Sequence, residues 1–366
     1  MKIDDAVFRM GLANTYQDEQ WKNAIAVTEK VVRRAEPDWL EQLMTALLQV
    51  ASPTYPMRYG FREALQRFAL AEGDPEHVMT VWRIASAAGE KWGSIRELPR
   101  EVAEWLATAQ PLEHLIPVFA MAQADDEIAA CLLQEAVLRH DDLRSARAAV
   151  EFAGRLRAAD HPLAILPLHR LPAEHQQLGV PQYPGKPRKI WYVAPEPVAA
   201  PGATGIELKA AEIDWPQAVQ AMNAITRWLH PDERRSTDGM SDYTEAKLFL
   251  LDRPLVPGDF GATTLAALSL QSAVGNLTVH HARTADVVRT LYGTGAYGRL
   301  TAWQSLAALT GTDGDPATLK WVADQCTWLF YTSDWHGRDG CSIDFGIAVL
   351  RSDHQSIAII ASTFSD

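Results

Sequence analysis

The spacing of hydrophobic residues changes once along the chain, and this change constrains the fold more than any other feature. Over residues 1–158, apolar side chains recur every three to four positions, as they do in Leu40–Leu48. This spacing gives each helix one apolar stripe. From residue 189 onward, short apolar runs and alternating segments indicate strands among the helices. The pattern predicts an α+β protein with an all-helical N-terminal domain and a mixed α/β C-terminal domain.

The helical half divides into about seven predicted helices. Pro37 suits the first turn of one of them, and Asp74 is a predicted cap for another. Asp125 and Asp142 are predicted to begin the last two. Helices of this length, joined by short turns, are typical of an irregular bundle or a HEAT-like stack, and no repeat signature separates the two.

Prolines concentrate between the two halves, at positions 162, 167, 172, 181, 184 and 187. Each proline removes a backbone donor and disfavours helix in the residue before it. We therefore predict a connector at residues 159–188. The helical domain would occupy residues 1–158 and the α/β domain residues 189–366.

The C-terminal half predicts a mixture of helices and strands. Strand-like segments are Lys189–Val193, Gly205–Ile213, Lys247–Leu251 and Leu277–Val279. Segments with helical spacing are Trp215–Leu229, Thr284–Tyr292, Leu300–Leu309 and Pro316–Leu329. The end of the chain gives the clearest strand signal, because two apolar runs flank a polar turn at 351–354. These runs predict a terminal antiparallel β-hairpin whose strands are covered on both faces.

Four parts of this half resemble an uncharacterised family of bacterial proteins. They are Glu245–Asp252, Phe260–Leu265, Thr301–Leu309 and the closing segment from Gly346 to Thr363. The resemblance covers roughly the last 120 residues, and the final residues Ala361–Asp366 depart from the family's usual Ala-Thr-Asp-Thr-Asp ending. It supports the domain organisation and implies no chemistry, because the family has no known activity.

Composition narrows the class of protein. The net charge of -12 and the pI near 5.4 argue against nucleic acid as the main partner, which would require clustered Lys and Arg. Three scattered cysteines do not make a disulfide framework, so a reducing compartment is expected. Neither a signal core nor a long apolar run is present, and we expect a cytoplasmic protein without a membrane segment.

The densest cluster of reactive side chains lies between the last predicted helix and the terminal hairpin. Its members are Asp334, His336, Arg338, Asp339, Cys341 and Asp344. A site that contacts a ligand or a partner is one interpretation, and a capped, solvated loop is the other. Cys341 and His336 are chemically suited to a nucleophile pair. The spacing matches no zinc or calcium motif, so no metal site is predicted.

Other motifs favour structural roles. Gly293–Gly298 satisfies G-x-G-x-x-G, but a helix is predicted before it where a dinucleotide site needs a strand, so a helix-to-helix turn is favoured. Adjacent His280 and His281 would face opposite sides of a strand. Trp321 and Trp328 are expected to pack in the core. No P-loop, nucleophile elbow or H-E-x-x-H appears, and no motif identifies a cofactor.

Two functional hypotheses follow. The first is a non-enzymatic cytoplasmic interaction or adaptor protein that binds a partner protein or a small ligand, because stacked helices commonly serve binding. The alternative is an enzyme of unrecognised class, with a pocket at the domain junction near residues 333–344 and His280, His281 or Tyr292 in its lining.

Overall fold

The structure is a computed structural model. It describes residues 1–11, 19–89, 92, 97–140, 142–171, 174, 208–226, 243–268, 277–291, 295–332 and 343–364. In this part of the chain fourteen α-helices and six β-strands are present, and all the strands follow residue 170. The predicted α+β class is therefore confirmed. The chain forms two compact units, Met1–Arg170 and Leu171–Asp366.

The first unit is helical throughout its described residues. Its helices are α1 (Ile3–Gly11), α2 (Glu19–Val32), α3 (Pro37–Leu48), α4 (Tyr55–Ala69), α5 (Pro75–Ala88), α6 (Glu97–Ala109), α7 (Leu112–Met121), α8 (Glu127–His140) and α9 (Arg147–Ala158). A 3₁₀ turn follows at Pro162–Ile165.

These helices pack as a stack. Each helix contacts the helix two positions further along, so that α1, α3, α5, α7 and α9 form one layer and the even-numbered helices form the other. Contacts between helices that follow each other, such as α3 and α4, join the two layers. This nearest-neighbour pattern is that of stacked helical pairs. Of the two arrangements predicted, an irregular bundle and a HEAT-like stack, these contacts favour the stack.

Side-chain caps set several helix starts. The Asp74 carboxylate accepts a hydrogen bond from the His77 N–H at 2.9 Å and begins α5, as predicted. Pro37 stands at the start of α3, also as predicted. For α8 the cap is one residue later than expected, because Asp126, rather than Asp125, accepts from the Ala129 N–H at 2.9 Å.

Two sequence predictions in this unit are wrong. About seven helices were predicted and the described residues of this unit hold nine, because neither α1 nor α6 was predicted; α6 buries Val102, Trp105 and Leu106. Asp142 does not begin a helix, since α9 starts at Arg147. Instead the Asp142 carboxylate binds the Arg144 guanidinium, and its backbone pairs with His169. Asp142 therefore pairs through its backbone with the segment that contains His169, and it does not cap a helix.

The second unit contains a six-stranded sheet and five α-helices among its described residues. The strands are β1 (Ala210–Ile213), β2 (Tyr243–Leu251), β3 (Thr278–Ala282), β4 (Thr327–Thr332), β5 (Ile343–Leu350) and β6 (Ser356–Phe364). The helices are α10 (Ala218–Thr226), α11 (Ala262–Ala267), α12 (Thr284–Leu291), α13 (Gly295–Thr310) and α14 (Pro316–Gln325).

The sheet is antiparallel, in the order β1-β2-β6-β5-β4-β3. The terminal hairpin β5–β6 occupies its centre, with Ile347 paired to Ile360. All residues from Ile347 to Leu350 and from Ile357 to Ala361 are buried. This confirms the predicted hairpin and explains its apolar residues, since each face of the central strands is covered.

A separate layer packs on each face of the sheet. On one face Phe249, Leu329 and Ile357 form a core with Phe260 and Leu265, which lie at and near α11. On the other face α10 packs against β2 and β6, and α13 packs against β6. Helix α13 is buried along most of its length, as expected for a helix in the middle of a unit.

The predicted helix Pro316–Leu329 is too long. Helix α14 ends at Gln325, and Thr327–Thr332 forms β4. The run Thr-Trp-Leu-Phe-Tyr-Thr is rich in aromatic and β-branched residues, which suit a strand. Trp328 is buried in the sheet, as expected, whereas Trp321 is 66% exposed, so the core prediction is wrong for Trp321.

Candidate functional site

Most of the side chains predicted to form a site lie outside the described residues. These are Asp334, His336, Arg338, Asp339 and Cys341, and Tyr292 of the alternative hypothesis joins them. Of the cluster, only Asp344 is placed, on β5 opposite Thr363. A contact or catalytic role for this segment therefore stays a prediction.

The two adjacent histidines lie on β3, an edge strand of the sheet. His280 pairs with Phe330 and His281 with Leu329, so their side chains point to opposite faces, as the sequence predicts. The described residues include no group of three or more His, Cys, Asp or Glu side chains that could hold a metal ion.

Cys131 lies in a buried polar cluster of the helical unit. Its thiol donates to Glu127 Oε1 at 3.5 Å, and burial followed by the charges of Glu127 and Glu135 raises its pKa. The second carboxylate oxygen of Glu127 lies 3.2 Å from His161 Nε2. Because His161 Nδ1 accepts from the Leu163 N–H, Nε2 carries the proton and donates to Glu127. A thiol held protonated in this way is not a nucleophile.

A second polar cluster joins α6 to α8. Glu135 and Arg139 form a buried ion pair, and the Arg139 Nη2 donates to Thr108 Oγ1 at 2.8 Å. Glu104 lies nearby and is half-buried. Burial and the charge of Glu135 raise the pKa of Glu104 to about 7, against the smaller effect of Arg139. These contacts link α6 to α8, which are neighbours in the even-numbered layer of the stack.

The second unit contains a fully buried ion pair between Glu174 and Arg299 of α13. Arg299 Nε donates to Glu174 Oε1 at 2.7 Å, and Trp303 Nε1 donates to the same oxygen at 2.9 Å. The Leu171 N–H donates to the other oxygen at 2.7 Å. Burial alone would raise the pKa of Glu174, but the charge and hydrogen bonds of Arg299 lower it. These contacts hold the start of the second unit against α13.

The best candidate for a binding site is an open groove between α7 and α9. Its volume is about 540 Å³, and it is lined by Leu112, Glu113, Ile116, Ala146, Arg147, Ala148 and Glu151. These residues come from the first two turns of both helices and from Ala146, which precedes α9. The helices are neighbours in the odd-numbered layer of the stack, so their N-terminal ends lie side by side. The lining is mainly apolar.

Charges stand at the rim of this groove. Arg147 Nε donates to Glu151 Oε1 at 2.7 Å, and this hydrogen bond raises the pKa of Arg147. Both side chains are largely in solvent, so the pair adds little to stability. Glu113 is exposed in the first turn of α7, where a carboxylate is favoured by the helix dipole.

Neither helix has a side chain that caps its N-terminus. Pro111 precedes α7 and Ala146 precedes α9, and neither makes a side-chain capping bond. The first N–H groups of a helix have no partner within the helix. Backbone donors therefore lie beside the apolar groove. Within α7, Pro117 also lacks the N–H that would bond the Glu113 carbonyl.

Sequence reasoning missed this groove. The residues that line it belong to two segments about thirty positions apart, and only the contact of α7 with α9 brings them together. One local signal was present, since Ala146 stands where Ser, Thr, Asp or Asn would be expected before a helix. The wrong start predicted for α9, at Asp142, concealed it.

Three comparisons place the chain among known proteins. The sequence profile described as "Family of unknown function (DUF6183)" matches residues 22–366. Searches of curated proteins and of solved structures found no match. The family resemblance noted in the sequence is thus confirmed in kind, but its extent was wrong, because the match includes both units and is not limited to the last part. Within the described residues, none of the helices has the length and apolarity needed to span a membrane.

Proposed function

The chain belongs to DUF6183, a family of unknown function, and from this starting point we propose that it is a non-enzymatic binding protein. Its helical unit would hold an apolar segment of a partner protein in the groove between α7 and α9. The groove itself, open and lined by Leu112, Ile116 and Ala148, is the observation that carries the proposal. Stacked helices expose surfaces of this kind to partners.

The lining favours a polypeptide segment over a small metabolite. Sites for small molecules usually enclose the ligand and direct several polar side chains at it. This groove is open, and the charged side chains of Glu113, Arg147 and Glu151 stand at its rim. An apolar side chain from a partner would remove Leu112 and Ile116 from water at about 25 cal/mol per Å² buried.

The backbone adds a second requirement for the partner. The uncapped first turns of α7 and α9 present N–H donors, which a bound segment would satisfy with backbone carbonyls or with Asp, Ser or Thr side chains. The expected segment therefore combines two or three apolar side chains with hydrogen-bond acceptors. This combination is typical of a helix end or a turn.

We also propose a reducing, cytoplasmic location, which the sequence predicts. Cys131 and Cys326 are both free thiols among the described residues. Free cysteines of this kind persist where thiols are kept reduced.

Site-specific photocrosslinking in the source cells tests the groove. A photoreactive amino acid would replace Ile116 in the groove or Ala120, which is exposed on the same helix outside the groove. We expect a discrete crosslinked partner at position 116 and none at position 120. The crosslinked segment of that partner would then be synthesised as a labelled peptide.

Binding of this peptide to purified protein completes the test. Ile116→Lys should weaken binding at least about tenfold, which is about 1.4 kcal/mol. Ala120→Lys places the same charge on α7 and should leave affinity unchanged. The proposal fails if positions 116 and 120 crosslink alike, or if the two lysine variants bind the peptide equally.

A further inference from the structure

The imidazole ring of His161 makes two hydrogen bonds of opposite kind. His161 precedes the 3₁₀ turn at Pro162–Ile165, and its Nδ1 caps that turn by accepting from the Leu163 N–H at 3.2 Å. Its Nε2 lies 3.2 Å from Glu127 Oε2 of α8 and donates to it. The side chain is only 10% exposed, so the ring is largely shielded from solvent. Both bonds form together only in the neutral ring, with its hydrogen on Nε2.

A second proton on this ring removes the cap of the turn. An imidazolium carries a hydrogen on each nitrogen and accepts no hydrogen bond. The Leu163 N–H would then face a ring N–H, and turning the ring over gives no relief because the other nitrogen also carries a hydrogen. Leu163 is inaccessible to solvent. Water therefore cannot replace the lost acceptor unless the turn opens.

Glu127 keeps the charged ring in place. Its carboxylate accepts from the Cys131 thiol through Oε1 at 3.5 Å and from His161 through Oε2, and the second bond becomes an ion pair when the ring is protonated. The open turn retains this ion pair. The closed turn retains it as well, but it also holds two N–H groups against each other. The proton therefore binds the open form more tightly, and acid shifts the equilibrium toward that form.

Two helices pack against the turn and determine which charges surround His161. They are α8 and α9. Glu127 faces the ring from α8. The charged side chains that precede the ring in α9 and in the residues after it are Arg155, Arg157 and Asp160. Arg155 donates to backbone carbonyls at the end of α7, and the other two are exposed. Of these groups it is Glu127 that contacts the ring.

The turn leads into a segment, residues 166–170, that is bound to α8 and to the link between α8 and α9. The Leu143 N–H donates to the Leu168 carbonyl at 2.7 Å. The Arg170 guanidinium donates to the Leu138 carbonyl near the end of α8. Because the turn sets the direction in which the chain leaves α9, its opening loosens these contacts of the segment 166–170.

We propose that His161 is an acid-sensitive switch at the end of the helical unit, whose protonation opens the turn Pro162–Ile165 and releases the segment 166–170 from Leu143. The neutral ring caps the turn, and the segment stays bound. The charged ring stays with Glu127, and the turn loses its cap. The turn is the element with two states, and one imidazole biases it, as in other switches that act through histidine. The proposal does not rest on the groove between α7 and α9.

Two substitutions separate the two bonds of the ring. His161→Asn places an amide oxygen near the position of Nδ1, and Asn is a good capping residue. His161→Gln extends its amide toward the position of Nε2 and leaves the Leu163 N–H without a matching acceptor. Neither side chain titrates. The Asn variant therefore keeps the turn capped at every pH, and the Gln variant keeps it uncapped.

Amide hydrogen exchange of the full-length protein, followed by NMR and corrected for the intrinsic pH dependence of exchange, tests the proposal. Between about pH 8 and about pH 5, where histidine ordinarily titrates, the ring signal of His161 is followed in parallel. In wild type we expect protection of the Leu163 and Leu143 amides to fall at least about fivefold as the ring is protonated. Both amides should stay protected in His161→Asn and stay poorly protected in His161→Gln.

Three results would overturn the proposal. The first is unchanged protection of Leu163 in wild type, whether or not the His161 ring titrates in this range. The second is a loss of equal size in His161→Asn, which would assign the pH dependence to other groups. The third is a loss at Leu163 while Leu143 stays protected, which would show that the turn does not control the segment 166–170.

Discussion

Glu104 gives the helical unit a pH-dependent stability. Its folded pKa is about 7, above the ordinary value of 4.5. Protonation of this carboxyl therefore stabilises the fold. The contribution is fully present below pH 4.5 and is lost as the pH rises through 7. Besides burial, the like charge of Glu135 disfavours ionisation of Glu104. The nearby cation, Arg139, already binds Glu135 and Thr108.

We expect Glu104→Gln to be more stable than wild type at pH 8, by on the order of 1–3 kcal/mol. The difference should disappear at pH 4.5 and below, where the wild-type carboxyl is protonated in the fold. Urea unfolding followed by far-UV circular dichroism measures it. Glu113→Gln, at an exposed position of α7, is the control and should change little. A gain for Glu104→Gln that is the same at both pH values would contradict the assignment.

Position 346 requires glycine, because a side chain there would meet the ring of Tyr331. It pairs with Tyr331 across β4 and β5, and a Cβ at this position would enter the space occupied by the Tyr331 ring. Aromatic rings often cover glycine in the neighbouring strand. Any larger residue must therefore displace a fully buried ring.

Gly346→Ala should lower the free energy of unfolding by about 1–3 kcal/mol through overpacking. In a Tyr331→Ala background the same substitution should cost much less, because the ring is gone. A double-mutant cycle measures this coupling. Additive effects of the two substitutions would show that another neighbour sets the requirement for glycine.

Individual helix caps could be predicted from the sequence where the residue types are specific for a helix start. Asp74 was identified because Asp followed by Pro is a strong start signal. Glu104 and Glu174 were not identified, because what perturbs a carboxyl is its burial and its neighbours in space. Glu174 meets Arg299, which is 125 positions away.

At the scale of elements, α14 depends on Asp315. The Asp315 carboxylate accepts from both the N–H of Thr318, at 3.0 Å, and its hydroxyl, at 2.8 Å. Asp315→Ala should cost about 1 kcal/mol and increase hydrogen exchange in the first turn of α14. Asp315→Asn keeps an acceptor and should retain most of the stability.

Asp313→Ala, at an exposed position just before the cap, is the matched control. An equal effect of Asp313→Ala would show that charge, and not capping, stabilises this turn.

Periodicity predicted most elements and failed where two signals competed. The hairpin β5–β6 was predicted correctly, because two apolar runs separated by a polar turn are typical of a hairpin. Strand β4 was taken for helix because Trp321 and Trp328 are seven residues apart, which fits a helix face. The pairing of β4 with β3 and β5 outweighs that spacing. Helix α6 was missed because Pro99 interrupts the start of its pattern.

At the scale of the molecule, the division between the two compact units comes after Arg170, within the predicted connector at residues 159–188. The prediction placed the second domain at 189–366, after the proline-rich connector. In the structure the second unit begins at Leu171, and Glu174 of this unit is fully buried against Arg299 and Trp303. Proline content alone did not show that Glu174 is buried within the second unit. A connector rich in proline and leucine has the same composition whether or not one of its residues is buried.

The position of Glu174 leads to a prediction about fragments. A fragment of residues 171–366 keeps the carboxylate to which Arg299 and Trp303 donate, whereas a fragment of residues 189–366 lacks it. Removing one partner of a buried ion pair typically costs about 3–5 kcal/mol, which is a large part of the stability of a domain. We therefore expect the longer fragment to unfold cooperatively in urea and the shorter one to be largely unfolded or much less stable.

A point variant separates the ion pair from the other residues that the shorter fragment loses. Glu174→Ala in the 171–366 fragment should reproduce most of the loss seen on truncation to residue 189, while Glu174→Gln, which still accepts from Trp303, should retain part of the stability. If the alanine variant is as stable as its parent, the contribution of the connector lies elsewhere in the residues between 171 and 189. Reproduction of the loss would mean that one buried carboxylate determines where the second unit begins.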